Sequence, residues 1–311
     1  MTYKPLACGH AAAFLTIVIW GTTFISTKVL LRNFSPIEIL FIRFVIGYIA
    51  LWCVYPKPLK SGGRAQELVF AAAGLCGITL YYLFENIALT YTLASNVGVI
   101  ISVAPFFTAI FGCLLLHEAR PDGRFFAGFL LAMVGVTLIS FSSETALTLS
   151  PIGDLLAVVA AIIWAAYSLL TKKIASFGYH SIQATRRTFF YGLLFMLPVV
   201  GSSDFQVQPQ EVLAATNLLN LLFLGLGASA LCFVTWNFAV RQLGPVKTSV
   251  YIYMVPVITA ATSALILSEP ITGRTLVGIA LTLVGLFLSE SKKIAQDLPA
   301  KNARPKPNSV G

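Results

Sequence analysis

Trp20, Thr23, Phe24 and Thr27 stand at i, i+3, i+4 and i+7, so a helix would put an indole, a phenyl ring and two hydroxyls on one face. Trp164, Tyr167, Ser168 and Thr171 repeat that spacing and that mixture. A face of this kind stacks on flat apolar groups and hydrogen-bonds a polar end, which is the chemistry of binding rather than of bond cleavage. The flanking positions are Ile, Val, Leu and Ala, so the hydroxyls are gathered on these faces, which read as the lining of a cavity. Helix–helix packing through hydroxyl hydrogen bonds is the alternative. Two more clusters share the pattern: Tyr82, Glu85 and Asn86, and Phe233, Trp236 and Asn237. Glu85 lies in an apolar run, where a carboxylate is costly unless it faces protein or water. It is read as bonded to Lys28, as a contact for a substrate ammonium, or as a proton relay. Ser95, Asn96, Ser102 and Tyr253 complete the candidate cavity residues.

The remaining polar residues read as structural. Lys28 and Lys172 end their runs and are expected to snorkel. Arg43 and Arg187 stand about two helical turns into theirs and are expected to point inward and tie helices together. Pro105 and Pro256 fall near the middle of apolar runs, where each removes a helix hydrogen bond and supplies a hinge. No G-x4-GK[ST] loop, HExxH, GxSxG or paired His/Asp ligand set is present, so an ATP-driven motor and a membrane enzyme have little to work with. The chain reads as a non-enzyme with no cofactor and no metal. Its five cysteines show no CxxC and read as small apolar residues.

Lipid must surround the elements that position these groups. The chain is 57% hydrophobic and 11% charged, whereas soluble domains carry about 25% charged residues. The apolar runs are long enough for helices rather than alternating strands. They mark ten candidate spans, at 10–31, 36–55, 66–90, 94–116, 124–142, 152–173, 181–201, 214–240, 244–267 and 274–291. The fold expected is an all-α integral membrane protein. The first span is read as retained, being too long for the apolar region of a leader. Ten spans put both termini on one side, which also collects most of the Lys and Arg, so both are expected to be cytoplasmic. The basic tail then serves as a topology signal attracted to anionic lipid, with no nucleic-acid partner.

The spans fall into two copies of one unit. Trp20 and Lys28 match Trp164 and Lys172, and Arg43 falls opposite Arg187. ENIAL at 85–89 resembles WNFAV at 236–240, and GRFFAGFLLAMVG at 123–135 resembles GRTLVGIALTLVG at 273–285. The division expected is a terminus over 1–9, a first five-helix repeat over 10–142, a second over 152–291 and a tail over 292–311. An odd number of spans per copy inverts one copy relative to the other, an arrangement characteristic of secondary transporters with a midplane site. Gly128, Ala132 and Gly135, with Gly278, Thr282 and Gly285, give small faces for close helix packing, with a homodimer contact left open.

Pro105 with LLLHE at 114–118 and Gly128 and Gly135, then Pro256 with LILSE at 265–269 and Gly278 and Gly285, resemble the EamA-type branch of the drug/metabolite transporter superfamily. The resemblance spans about residues 10–291; His117 departs from the glycine common there. It implies a bacterial inner-membrane exporter of amino acids and related metabolites, with aromatic amino-acid exporters the nearest subgroup, working by alternating access. A sugar, nucleotide-type anion or polyamine carrier on the same fold stays open.

Overall fold

The computed structural model describes residues 3–60, 62–91, 94–116, 121–140, 150–203, 205–267 and 272–290. Among them the regular elements are all helical. We number them α1 (Tyr3–Leu30), α2 (Pro36–Val54), α3 (Arg64–Tyr91), α4 (Ala94–Ile101), α5 (Ala104–Leu116), α6 (Gly123–Ser140) and α7 (Pro151–Ala175). There follow α8 (Ser181–Gly201), the short α9 (Pro209–Leu213), α10 (Ala215–Leu243), α11 (Pro245–Val250), α12 (Met254–Leu267) and α13 (Gly273–Glu290). His117, Glu118, Glu269, the basic tail and the side chains of Ser95 and Asn96 lie outside the described residues.

Local chemistry sets the ends. Ser35 caps α2 in a reciprocal box: its hydroxyl accepts from Glu38 N at 3.3 Å, and Glu38 accepts from Ser35 N at 2.7 Å. Pro36 follows at the first helical position, where its missing N–H costs nothing. Ser150 starts α7 with the one-way cap alone, accepting from Gly153 N at 3.4 Å, and Pro151 again follows. Gly244, at φ +84°, turns the chain between α10 and Pro245, a conformation that strains a residue with a Cβ.

Two expected spans are interrupted. The run over 94–116 is two helices, α4 and α5, with Ser102 and Val103 in a turn between them. Pro105 has no N–H to give Ile101, and the backbone tightens there, with Val103 N on Ile100 O and Phe106 N on Val103 O, both at 3.0 Å. The matching run is broken by a 3₁₀ turn over Tyr251–Tyr253, just ahead of Pro256 in α12. Each proline thus stands at the start of a new helix rather than inside a continuous one. α3 and α10 run unbroken but widen into π-helical turns at Leu75–Leu80 and Phe223–Leu231.

Among the described residues five helices are long and apolar enough to cross a membrane: Leu6–Leu30, Pro36–Val54, Arg64–Tyr91, Pro151–Ala175 and Ala215–Leu243. Their outer faces are apolar, with Phe14, Ile49, Leu68, Leu155 and Leu219 exposed, while Arg43, Glu85 and Asn86 are buried. An apolar exterior around a polar interior is what a lipid solvent demands.

The pairings cross between the two copies. α1 packs on α10 and α12, and α7, its sequence counterpart, packs on α3, α4 and α5. α2 lies against α8 and α10. α6 and α13 make the closest pair: a Cβ on Gly128 would stand 2.6 Å from Gly285 O, and one on Gly135 2.6 Å from Gly278 O. The small faces left open for a homodimer are therefore occupied by one another within a single chain.

Candidate functional site

Three tryptophans from α1, α7 and α10 meet near the middle of the bundle. The Trp20 ring lies 5.1 Å from Trp164 and 5.2 Å from Trp236, and Trp164 lies 5.7 Å from Trp236. Tyr81 sits 4.7 Å from both Trp164 and Tyr82, and Phe233 closes the group at 6.0 Å from Trp20. Edge-to-face and tilted contacts of this kind add about 0.5–1.5 kcal/mol each beyond the area they bury, so the layer is a rigid wall. The Trp20 indole N–H donates at 2.9 Å to Ala228 O, which belongs to the π-helical turn of α10.

Beside this layer a narrow cavity is lined by Trp20, Thr23, Phe24, Tyr81, Tyr82, Glu85, Ile101, Trp164, Ile252 and Val255. Glu85 supplies the single carboxylate of that lining, and it is 6% exposed. It faces the Tyr81 hydroxyl and lies within electrostatic reach of Arg43. Arg43 is itself buried; its Nε donates to Ser229 at 3.0 Å, its guanidinium stands 4.5 Å over the Tyr82 ring, and Nη2 has no partner. The Trp164 indole N–H is likewise buried without an acceptor. The cavity thus joins flat apolar walls to one buried carboxyl group, and one of its wall residues, Trp164, keeps a buried indole N–H unpaired.

Of the expected cavity residues, Trp20, Thr23, Phe24, Tyr82, Glu85 and Trp164 are on its wall. Asn86 is not; its amide donates to Pro36 O at 3.2 Å and fastens α3 to the start of α2. Ser102 and Ser168 turn back on their own helices, bonding Gly98 O at 2.8 Å and Trp164 O at 3.0 Å. Tyr167 donates to Asn237 at 2.9 Å, and Asn237 donates to Thr185 at 2.9 Å, beyond the tryptophan layer. Trp236 is inside that layer and fully buried. Tyr253 packs in a separate apolar cluster with Phe125, Ala132 and Leu286.

The expected Lys28–Glu85 bond is absent: Lys28 is exposed at the end of α1, whereas Glu85 points inward to Tyr81 and Arg43. Arg187, from α8, holds Glu67 of α3 with two hydrogen bonds, at 3.0 and 2.8 Å, and the Tyr191 hydroxyl joins the same carboxylate at 2.6 Å. Lys172 is half-buried near the end of α7. Sequence reasoning missed Tyr81, whose i, i+4 relation to Glu85 was the available signal, and the apolar Ile101, Ile252 and Val255, which carried none. Among the described residues no three of His, Cys, Asp and Glu come together as a metal set.

The family model for EamA-like transporters matches this chain twice, over residues 7–141 and 151–290. A protein of Archaeoglobus fulgidus named as an uncharacterized transporter is 30% identical, covering 91% of this chain and 98% of its own. A protein of Escherichia coli named as a probable amino-acid metabolite efflux pump is 27% identical, over 89% of this chain and 93% of its own. One of Streptantibioticus cattleyicolor, named as a probable terminal-alkyne amino-acid exporter, is 26% identical over 92% and 94%. A crystal structure sharing 19% identity superposes with a TM-score of 0.73 over 91% of this chain and 96% of that one, which establishes the common fold. The chain belongs to the EamA-like transporter family, within the drug/metabolite transporter superfamily, as a multi-pass protein of the bacterial inner membrane.

Proposed function

We propose that this transporter exports small amphipathic metabolites, foremost amino acids with aromatic or hydrophobic side chains. The reading is carried by the cavity itself. The rings of Trp20, Tyr81 and Trp164 stack on the solute's apolar group, and the Glu85 carboxylate takes its ammonium. The unpaired Trp164 N–H offers a bond to its carboxylate. A zwitterion with a flat side chain satisfies all three, and the names of the efflux relatives agree with it.

Transport proceeds by alternating access between two inverted five-helix repeats, ten spans in all, with both termini cytoplasmic. The exchange of partners between α1 and α7 supports the two-fold relation. The tryptophan rings are in contact across the layer, so the walls must part to pass a solute. The breaks ahead of Pro105 and Pro256 give α5 and α12 the freedom to swing. Counterflow in proteoliposomes tests the substrate class, with labelled phenylalanine, tryptophan and leucine beside a hexose, a nucleotide and a polyamine. Exchange of phenylalanine and tryptophan is the expected result. Exchange confined to the sugar, nucleotide or polyamine would overturn the assignment.

A further inference from the structure

We propose a second solute site, selective for the carboxylate end of a small molecule, on the far side of the tryptophan layer from the aromatic cavity. It deepens the export reading, as the place where a solute is taken up before it meets Trp164 and Glu85. A separate small cavity opens there, where the end of α7, the start of α8 and the end of α10 converge. Thr171 of α7 and Trp164 of the aromatic cavity are seven residues apart, about 10 Å along one helix. Between the two cavities stand Tyr167 and Trp236, both fully buried, with the Tyr167–Asn237 hydrogen bond as a crossbar.

The chemistry of this lining is opposite to that of the first. It holds no carboxylate, and Arg241 stands at the mouth, exposed and without an ion pair among the described residues. Ser181, the first residue of α8, belongs to the wall, so the positive end of a 21-residue helix opens there. Thr171 is 3% exposed, and its hydroxyl stands beside the Tyr167 hydroxyl without reaching hydrogen-bond geometry with it or any other group. Asn237 is engaged through both amide atoms, so Thr171, Ser181 and Arg241 are the groups left to grip a ligand. A buried unpaired hydroxyl, a free guanidinium and a helix start form an anion cradle. The apolar stems of Ile174 and Ala175 accept a small hydrocarbon body.

Two monofunctional probes separate the sites: 3-phenylpropionate, which has the carboxylate and no ammonium, and phenethylamine, which has the reverse. Equilibrium binding of each is measured on the full chain in nanodiscs. The wild type should bind 3-phenylpropionate at one site per chain. Arg241→Gln should weaken that binding by roughly tenfold, Thr171→Val should weaken it too, and Arg241→Lys should retain most of it. Phenethylamine should be indifferent to Arg241→Gln and lost in Glu85→Gln. Absent 3-phenylpropionate binding, or binding unchanged in Arg241→Gln, would overturn the inner site. Phenylalanine counterflow alongside that result would leave the export reading standing. Conversely, Arg241-dependent binding without any amino-acid counterflow would leave the inner site standing and the export reading refuted.

Discussion

Glu85 and Arg43 are the buried ionisable groups that face each other beside the cavity, and they differ in how readable they were. A carboxylate in an apolar run announces itself, but its partner does not: the choice between Lys28 and Arg43 depends on which way α2 turns beside α3. The six cavity residues found from sequence were those on a regular helical stripe. Asn86, Tyr167 and Asn237 lay on similar stripes yet satisfy protein partners, which spacing cannot reveal. If Glu85 meets the ammonium, it must be charged, so amino-acid exchange should fall as pH is lowered and the carboxylate gains a proton. Glu85→Gln should flatten that profile and raise the KM for phenylalanine by about tenfold or more, read from counterflow across a pH series. An unchanged pH profile would remove Glu85 from the binding step. Arg43→Leu abolishes the Ser229 hydrogen bond and the contact with Tyr82. A destabilisation of about 2–3 kcal/mol, seen as a lower Tm in detergent, is the expected outcome.

Helix positions were legible to within a turn at most ends, because Ser-Pro starts and glycine stops are written in the residues themselves. The π-helical turns were not. Leu75–Leu80 is an ordinary apolar run in sequence, and its extra residue shifts the phase of everything after it. Tyr81 and Tyr82 both follow the turn, so it rotates them together against the first half of α3, and both line the cavity. Gly77, within the same turn, admits the Tyr167 ring, which would stand 2.2 Å from any Cβ there. The glycine faces of α6 and α13 were visible, but not their partner. Because Gly128 meets the backbone of Gly285 and Ser289 in α13 as well as the Ser289 hydroxyl, Gly128→Val must push the pair apart. We expect a loss of about 1–3 kcal/mol in stability with no new oligomeric state, by thermal unfolding and size-exclusion chromatography in detergent. A protein that instead lost a dimer would place this face between chains.

At the scale of the molecule, two matches of one family model along the chain agree with the repeat read from Trp20, Arg43, Pro105 and their counterparts. The repeat could be read because its marks are rare residue types in the same order, 144 positions apart at Trp20 and Arg43 and 151 at Pro105. The cavity's depth and closure could not, since they depend on how the tryptophans of three helices interlock. On the route proposed above, closure across Trp20, Trp164 and Trp236 means that the solute occupies the space beside them only while the walls are apart. The sharpest test is the rate at which an impermeant maleimide modifies Thr23→Cys in a chain freed of its five native cysteines, with and without phenylalanine. At about ten times its Kd, phenylalanine should slow modification roughly tenfold, since the reagent reaches only unoccupied cavities. A rate unaffected by saturating phenylalanine, in protein that still exchanges it, would show that the solute travels elsewhere.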